Sequence, residues 1–322
     1  MKILVTGGAG FIGSNFIRYW LNQHPEDEII NLDALTYAGN LDNLADLETN
    51  PRYQFVKGDI ADPQIVATVI PGVELIVNFA AESHVDRSIE QSDEFIKTNV
   101  LGTQVLLEAA RHNGLIRFHH ISTDEVYGSL SLDDAPFTEK TPYDPRSPYS
   151  ASKASADHLV RAYYHTYGLP ITISNCSNNY GPYQHPEKLI PRLITNLING
   201  QQLPIYGQGS NVRDWIQVDD HSRGLEAIIS RGRIGETYCL GGGSEKTNLE
   251  IAKSILQLMG QGEERLEYVT DRLGHDFRYA IDYTKAREEL GWEPQIDLAT
   301  GLAATVAWYQ NNPAWWEKLI IN

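Results

Sequence analysis

Lys2-Ile3-Leu4-Val5-Thr6-Gly7-Gly8-Ala9-Gly10-Phe11-Ile12-Gly13 opens the chain, a short apolar run that breaks into glycines and then enters a helical stretch, Ile12–Gln23. The turn fits G-x-G-x-x-G read from Gly8 and G-x-x-G-x-x-G read from Gly7. Glycines at this spacing permit a tight turn, close backbone approach to a pyrophosphate, and packing of the helix onto the strand. The free N–H groups and the dipole at the helix start then favour negative charge. The same turn can also be purely structural, so its context decides.

That context is a second strand, Glu28–Asp33, ending in an acid 20 residues after Gly13. A carboxylate there can hydrogen-bond a ribose hydroxyl pair and would repel a 2′-phosphate, which favours NAD over NADP. Asp59, after the strand Tyr53–Lys57, can face the adenine or cap the next helix. Strands are also expected at Leu75–Phe79, Arg117–Ser122 and Pro170–Cys176, and helices at Phe95–Arg111 and Tyr149–Tyr167. Alternation of this kind predicts an α/β fold, a doubly wound parallel-sheet Rossmann domain, with ligands beyond the carboxyl ends of the strands.

After Asn179 the pattern breaks into a Pro-, Gly- and Tyr-rich stretch with a helix near Pro191–Asn199. Val212–Val218 and Thr237–Leu240 read as strands returning to the sheet, and Asn248–Met259 and Tyr283–Leu290 as helices. We expect an NAD-binding domain over 1–178, with return segments near 212–240, and a smaller α/β C-terminal substrate domain over 179–322. The cleft should lie between them.

The composition narrows the function. With 322 residues, 42% hydrophobic and 21% charged, the chain can bury a full core. No stretch approaches the ~20 apolar residues of a membrane span, and Lys2–Val5 runs straight into glycines rather than into a secretory leader. A cytoplasmic protein with no membrane partner is expected. The net charge of −16 disfavours nucleic acid as a partner. Cys176 and Cys239 sit in apolar runs and read as buried hydrophobes, and Asn175-Cys176-Ser177 as a chance glycosylation triplet. His119 and His120 lie inside a strand, one in the core and one facing a helix, and no metal site is expected. Trp308, Tyr309, Trp315 and Trp316 read as C-terminal packing.

Two constellations carry chemistry. Tyr149 and Lys153 stand at i and i+4, one above the other on a helix face. A neighbouring ammonium and a positive nicotinamide would favour the phenolate, letting Tyr149 take a hydroxyl proton during oxidation of the same carbon. The strand ending at Ser122 leads into Thr123-Asp124-Glu125. Its adjacent carboxylates can supply the acid and base of an elimination, or simply cap the following turn.

Thr6–Gly13, Tyr149 and Lys153 resemble the extended short-chain dehydrogenase/reductase family, which acts on nucleotide sugars. His119–Gly128, Asp33–Asn40, Ala80–Ser88 and Asn175–Tyr183 resemble its 4,6-dehydratase branch. So do Pro186–Pro191, Arg213-Asp214-Trp215 and Gly274–Ala280. The likeness covers nearly the whole chain. Leu273 departs from it, since proline is expected there in the loop presenting Arg272 and His275.

The resemblance implies a tightly bound, recycled NAD, held additionally by Leu35, Thr36, Ile60, Ala80, Ala81, Ser83, Thr98 and Asn179. It implies a nucleotide-sugar substrate, dTDP-glucose with UDP-glucose as the alternative. Ser83, His84, Asn178, Lys188, Leu189, Arg213, Asn248, Arg272 and His275 would bind it, with Pro204 and Tyr206 framing the base. Thr123 and Tyr149 would bind the C4 hydroxyl, Glu125 would take the C5 proton, and Asp124 would protonate the departing C6 hydroxyl. A homodimer through a four-helix interface is implied as well. Two rivals remain at this stage: a nucleotide-sugar 4-epimerase, which needs no carboxylate pair, and a non-catalytic NAD-binding protein.

Overall fold

The computed structural model describes residues 1–271 and 276–320. The strands are β1 (Lys2–Thr6), β2 (Glu28–Asp33), β3 (Tyr53–Lys57), β4 (Leu75–Asn78), β5 (Arg117–Thr123) and β6 (Ile171–Cys176). Then come β7 (Asn178–Tyr180), β8 (Leu203–Tyr206), β9 (Val212–Gln217), β10 (Thr237–Leu240), β11 (Glu245–Thr247) and β12 (Leu266–Val269). Seven of them form a parallel sheet in the order β10-β6-β5-β4-β1-β2-β3. Helices cover both faces, so a central strand such as β1 is apolar without alternation, and Ile3, Leu4 and Val5 are fully buried.

The strand order reverses between β1 and β4, opening a crevice at their carboxyl ends. Gly7 makes the approach possible. Its φ is +69°, and a Cβ there would lie 2.6 Å from the backbone nitrogen of Ala80, just past β4. Gly13 lets the helix Phe11–Gln23 settle onto the turn, since a Cβ would meet the Gly7 carbonyl oxygen at 2.5 Å.

Elsewhere the structure redraws the expected boundaries. In place of one regular helix over Phe95–Arg111 there is a helical run: Ser92–Phe95, a wide i→i+5 segment Ile96–Gly102, and Thr103–His112. Asn99 anchors the wide segment. Its side chain accepts from Glu82 N (2.9 Å) and donates to Glu82 O (3.1 Å) and to Ser152 Oγ (2.8 Å). Of the two segments expected to rejoin the main sheet, only β10 does. β9 instead pairs with β7 and β11 in a three-stranded sheet, where Asp214 accepts from Gly242 N (2.9 Å) and Ser244 N (2.7 Å).

The remaining C-terminal elements bury a separate core around Ile194, Ile251, Tyr309 and Trp316. The helix Val218–Arg231 packs back against Phe11–Gln23, tying this part to the parallel sheet. Its Asp220 accepts from Gln295 N and Ile296 N at 2.9 and 2.8 Å. The helices Leu298–Asn311 and Pro313–Ile320 close the C-terminal side.

Gly7→Ala should destabilise the fold by at least about 1–2 kcal/mol, the cost of left-handed backbone for a residue with a Cβ. The clash with Ala80 adds to it. Chemical denaturation of the purified variant against the parent measures the loss.

Candidate functional site

A cleft of about 410 Å³ runs across the carboxyl ends of the main-sheet strands. Its first half is built on the glycine turn. The helix Phe11–Gln23 has Gly10 at its N-cap, with no side-chain cap and no acid in its first turn, so its N–H groups are left for a ligand. A Cβ on Gly10 would meet only the Gly7 carbonyl at 3.2 Å, so the cleft side of the turn is open. Asp33 accepts from Ala9 N (2.9 Å) and Leu35 N (2.8 Å), which fixes its carboxylate in the cleft wall. These donors, the open glycine and the anchored acid fit a dinucleotide.

Gly7, Gly10, Phe11, Ile12, Gly13, Thr36, Asp59, Ile60, Ala80, Ala81, Ser83, Thr98 and Asn179 line the same cleft. Leu35 does not line it; at φ +54° it turns the chain so that its N–H reaches Asp33 while Ala34 and Thr36 face inward. Asp59 does not cap the next helix, because Asp62 does, accepting from Gln64 N at 2.8 Å. Asp59 instead accepts from Ala61 N (2.9 Å) and pairs with Lys97 (3.0 Å), a wall residue that the sequence did not single out. Trp315 packs as expected against Tyr183 and Trp308, yet it also reaches the cleft and donates to Asn43 Oδ1 at 2.9 Å.

The second half is the end of β5. Asn175 Nδ2 donates to Thr123 O (3.0 Å), and Thr123 Oγ1 accepts from Glu125 N (3.2 Å). Thr123 is therefore the cap of the turn Asp124–Tyr127, and the carboxylates are released from that duty. Asp124 is 2% exposed, bonded to Thr123 Oγ1 at 3.3 Å through one oxygen, while its Oδ2 makes no hydrogen bond. Burial, then the Glu125 and Asp214 carboxylates, push its carboxyl well above the usual range, which favours the protonated acid.

Opposite stands the helix Pro148–Tyr167, started by Pro148 and by a reciprocal capping pair, Ser147 and Ser150. It delivers Tyr149 and Lys153 to the cleft one turn apart. Lys153 Nζ donates to Ile121 O at 2.7 Å, and burial draws its ammonium down to about 8. For the phenol, the protein alone acts against the phenolate that a neighbouring ammonium and a nicotinamide together would favour. Burial first, and then the Glu125 charge, hold Tyr149 well above its ordinary range. His119 is fully buried against Thr172 and Ser174, and His120 faces Lys153 with Nε2 3.3 Å from Nζ. Cys239 is a buried hydrophobe. Cys176 is buried as well, but it lines the cleft beside Tyr149, its thiol pushed up to about 12 by burial.

The residues singled out for substrate divide into two groups. Ser83, Thr123, Asn178 and Lys188 line the cleft, and Asn178 Oδ1 is buried without a partner. His84 does not line it; it caps the helix Val85–Glu90 and lies 3.5 Å from Glu187. Leu189 opens the helix Leu189–Ile198 and packs on the C-terminal core. Pro204 and Tyr206 lie in β8, paired with β12. The Arg213 guanidinium donates to the carbonyls of Val212, Phe277 and Asp276 and stacks 4.3 Å from the Tyr279 ring centroid. Asn248 joins that group through Asn211, and its Oδ1 is buried without a partner. Arg272, His275 and the Leu273 departure lie outside the described residues.

The family model described as GDP-mannose 4,6 dehydratase matches residues 4–305. The dTDP-glucose 4,6-dehydratase of Mycobacterium tuberculosis is 53% identical, over 99% of this chain and 96% of its own. That of Escherichia coli is 49% identical with the same coverage. A crystal structure of dTDP-glucose 4,6-dehydratase from Streptomyces venezuelae, with NAD and dTDP bound, superposes with a TM-score of 0.96. It is 53% identical, and the match covers 99% of this chain and 100% of that one. The chain belongs to the GDP-mannose 4,6 dehydratase family, a branch of the extended short-chain dehydrogenases/reductases built on a Rossmann sheet.

Proposed function

We propose that this chain is an NAD-dependent sugar-nucleotide hydro-lyase, a dTDP-glucose 4,6-dehydratase. The observation that carries the reading is Asp124: a buried carboxyl, one oxygen without a protein partner, favoured in its protonated form, between Thr123 and Glu125 in the lining of a dinucleotide cleft. Oxidation at a carbinol alone needs no such acid; elimination of water does. The near-full-length likeness to dTDP-glucose 4,6-dehydratases supports thymidine as the base.

Gly10, the start of the helix Phe11–Gln23, and Asp33 would hold NAD, with Asp59, Thr98 and Lys153 along its length. NAD would supply the hydride chemistry at C4 and C6 and a positive ring charge that offsets the carboxylates around Tyr149. Thr123 and Tyr149 orient the C4 hydroxyl, and Tyr149 takes its proton as the phenolate that this ring charge and the Lys153 ammonium together favour. The 4-ketone so formed acidifies the C5 hydrogen. Glu125 removes that proton while Asp124 gives its own to the C6 hydroxyl, which leaves as water. A proton returned to C5 completes a 4-keto-6-deoxy sugar. Lys188 serves the diphosphate from the cleft, and Arg213 and Asn248 complete the nucleotide side from the C-terminal part. The 4-epimerase reading accounts for Tyr149 and Lys153 but gives the protonated Asp124 nothing to do.

We assign the protein to the cytoplasm and to a homodimer. Among the described residues no helix is long and apolar enough to cross a membrane. The helical run Val85–His112 packs on Pro148–Tyr167 and leaves Ile89, Ile96, Leu101 and Tyr167 about half exposed, at 54, 52, 48 and 45%. A second copy covering these side chains gives the four-helix interface.

Purified protein given dTDP-glucose without added NAD should yield a product lighter by one water, with no NADH accumulating. UDP-glucose and GDP-mannose should react far more slowly; preference for either would keep the mechanism and change the base. Glu125→Gln should oxidise C4 yet lose about 10²–10⁴-fold in dehydration, and normal dehydration by that variant would remove Glu125 from the mechanism. Light scattering should report a dimer, and a paired Ile96→Glu, Leu101→Glu variant should shift it toward monomer. A parent chain already monomeric at micromolar concentration would refute the interface.

A further inference from the structure

We propose that Asp157 is a positioning residue for Lys153: buried one helical turn beyond it, with His120 Nε2 against both side chains, it is the fixed counter-charge that keeps the lysine protonated at a water-poor site. The proposal rests on the reading of Tyr149 and Lys153 as the proton-handling pair.

An ammonium removed from water tends to lose its proton unless an opposite charge stands nearby. Lys153 is 4% exposed, and its Nζ donates to the Ile121 carbonyl at 2.7 Å. A carbonyl orients the group but brings no net charge. Asp157 follows at i+4 on the same helix and is fully buried. It does not line the cleft, so it acts through other residues rather than on a ligand.

His120 stands between the two. Its Nε2 lies 3.3 Å from Lys153 Nζ and 3.4 Å from Asp157 Oδ1, while Nδ1 lies 3.2 Å from Asn78 Nδ2. Asn78 Nδ2 can only donate, so Nδ1 accepts and the neutral ring carries its proton on Nε2, which lies beside both Lys153 Nζ and Asp157 Oδ1 without accepting from the one or closing a hydrogen bond to the other. Burial, with Lys153, His119 and Arg161 nearby, holds the imidazole well below its ordinary range, so it serves as an uncharged spacer. The net charges that remain are the lysine and the carboxylate.

The carboxylate is built in from several elements. Oδ2 accepts from Ser122 Oγ on β5 and from Tyr143 OH in the preceding loop, both at 2.8 Å. Arg161, one turn further along the helix, donates to Tyr143 OH at 2.8 Å and to Thr237 Oγ1 on β10 at 3.2 Å. Burial is the largest influence on the Asp157 carboxyl and leaves it raised, while Lys153, the two hydroxyls and Arg161 oppose that rise and favour the carboxylate. The groups acting on Lys153 are Asp157 from its own helix, His120 from β5 and the Cys176 thiol from β6. Burial brings the lysine to about 8, and the Asp157 charge opposes that fall.

The sign follows directly. Without the carboxylate charge, Lys153 loses its proton at lower pH, and activity that needs the charged lysine fails earlier on the alkaline side. A purely structural Asp157 would lower activity or stability without moving that limb.

The test is the pH profile of kcat/KM for dTDP-glucose dehydration by the NAD-loaded enzyme, from about pH 6 to about pH 10. For Asp157→Asn, shown folded by its melting curve and its NAD content, the alkaline limb should move down by about one pH unit or more. Asp157→Glu, which restores the charge, should bring it back toward the parent position. An unmoved limb in folded Asp157→Asn overturns the proposal, whatever the loss in rate. Should that variant fail to fold, Tyr143→Phe carries the test. It loosens the carboxylate from outside the cleft, so its limb should move the same way by a smaller amount, and a fixed limb overturns the proposal equally. A parent enzyme that dehydrates nothing at any pH would sink the functional reading instead, leaving the two failures distinct.

Discussion

Desolvation of charge at the carboxyl end of β5 is the constraint around which the middle of this chain is arranged. Asp124, Tyr149, Lys153, Asp157 and His120 are all nearly or fully buried. Each would shed its charged form if left alone there, so the outcome depends on neighbours. Asp124 has two carboxylates close by and stays an acid. Lys153, with Asp157 behind it, is drawn down only as far as about 8. One strand end and one helix thereby hold an acid and a cation side by side in the same low-dielectric wall.

The architecture that permits this is set by backbone approach. Gly7 brings the first turn against the start of the loop after β4, and Gly13 seats the helix on that turn. The crevice so opened is continuous with the end of β5, because β4 separates β1 from β5 by a single strand. Asn99 adds a clamp from the other side, holding the backbone of Glu82 and the hydroxyl of Ser152, next to Lys153. The cofactor half and the chemical half of the cleft are thus joined by hydrogen bonds as well as by the sheet.

Much of this was legible in the sequence where a local pattern has a single physical meaning. The glycine turn, the acid closing β2, and Tyr149 with Lys153 at helical spacing all sit where their spacing placed them. What the sequence hid were long-range pairings. Val212–Gln217 reads as a strand, yet its partners are β7 and β11, and no property of the segment itself names them. Asp59 was open between two roles because Asp62, three residues on, competes for the cap and wins. The help that Lys153 and a nicotinamide give the Tyr149 phenolate was legible from spacing, whereas the opposing burial and Glu125 charge come from the tertiary setting. Asp157 was not singled out in the sequence, and only the structure shows it buried with Oδ1 3.4 Å from His120 Nε2.

Asp124 Oδ2 is buried without a protein partner at a residue that lines the cleft, and its carboxyl is held toward the protonated form. An enzyme that only moved hydride on and off C4 would have no use for a protonated acid there. Retaining the acid makes sense where its proton must pass to a departing oxygen, since an oxygen already committed to an internal donor would have to break that bond first. The unsatisfied atom and the elimination are, on this view, two aspects of one requirement: the acid must be dry enough to keep its proton and free enough to give it away.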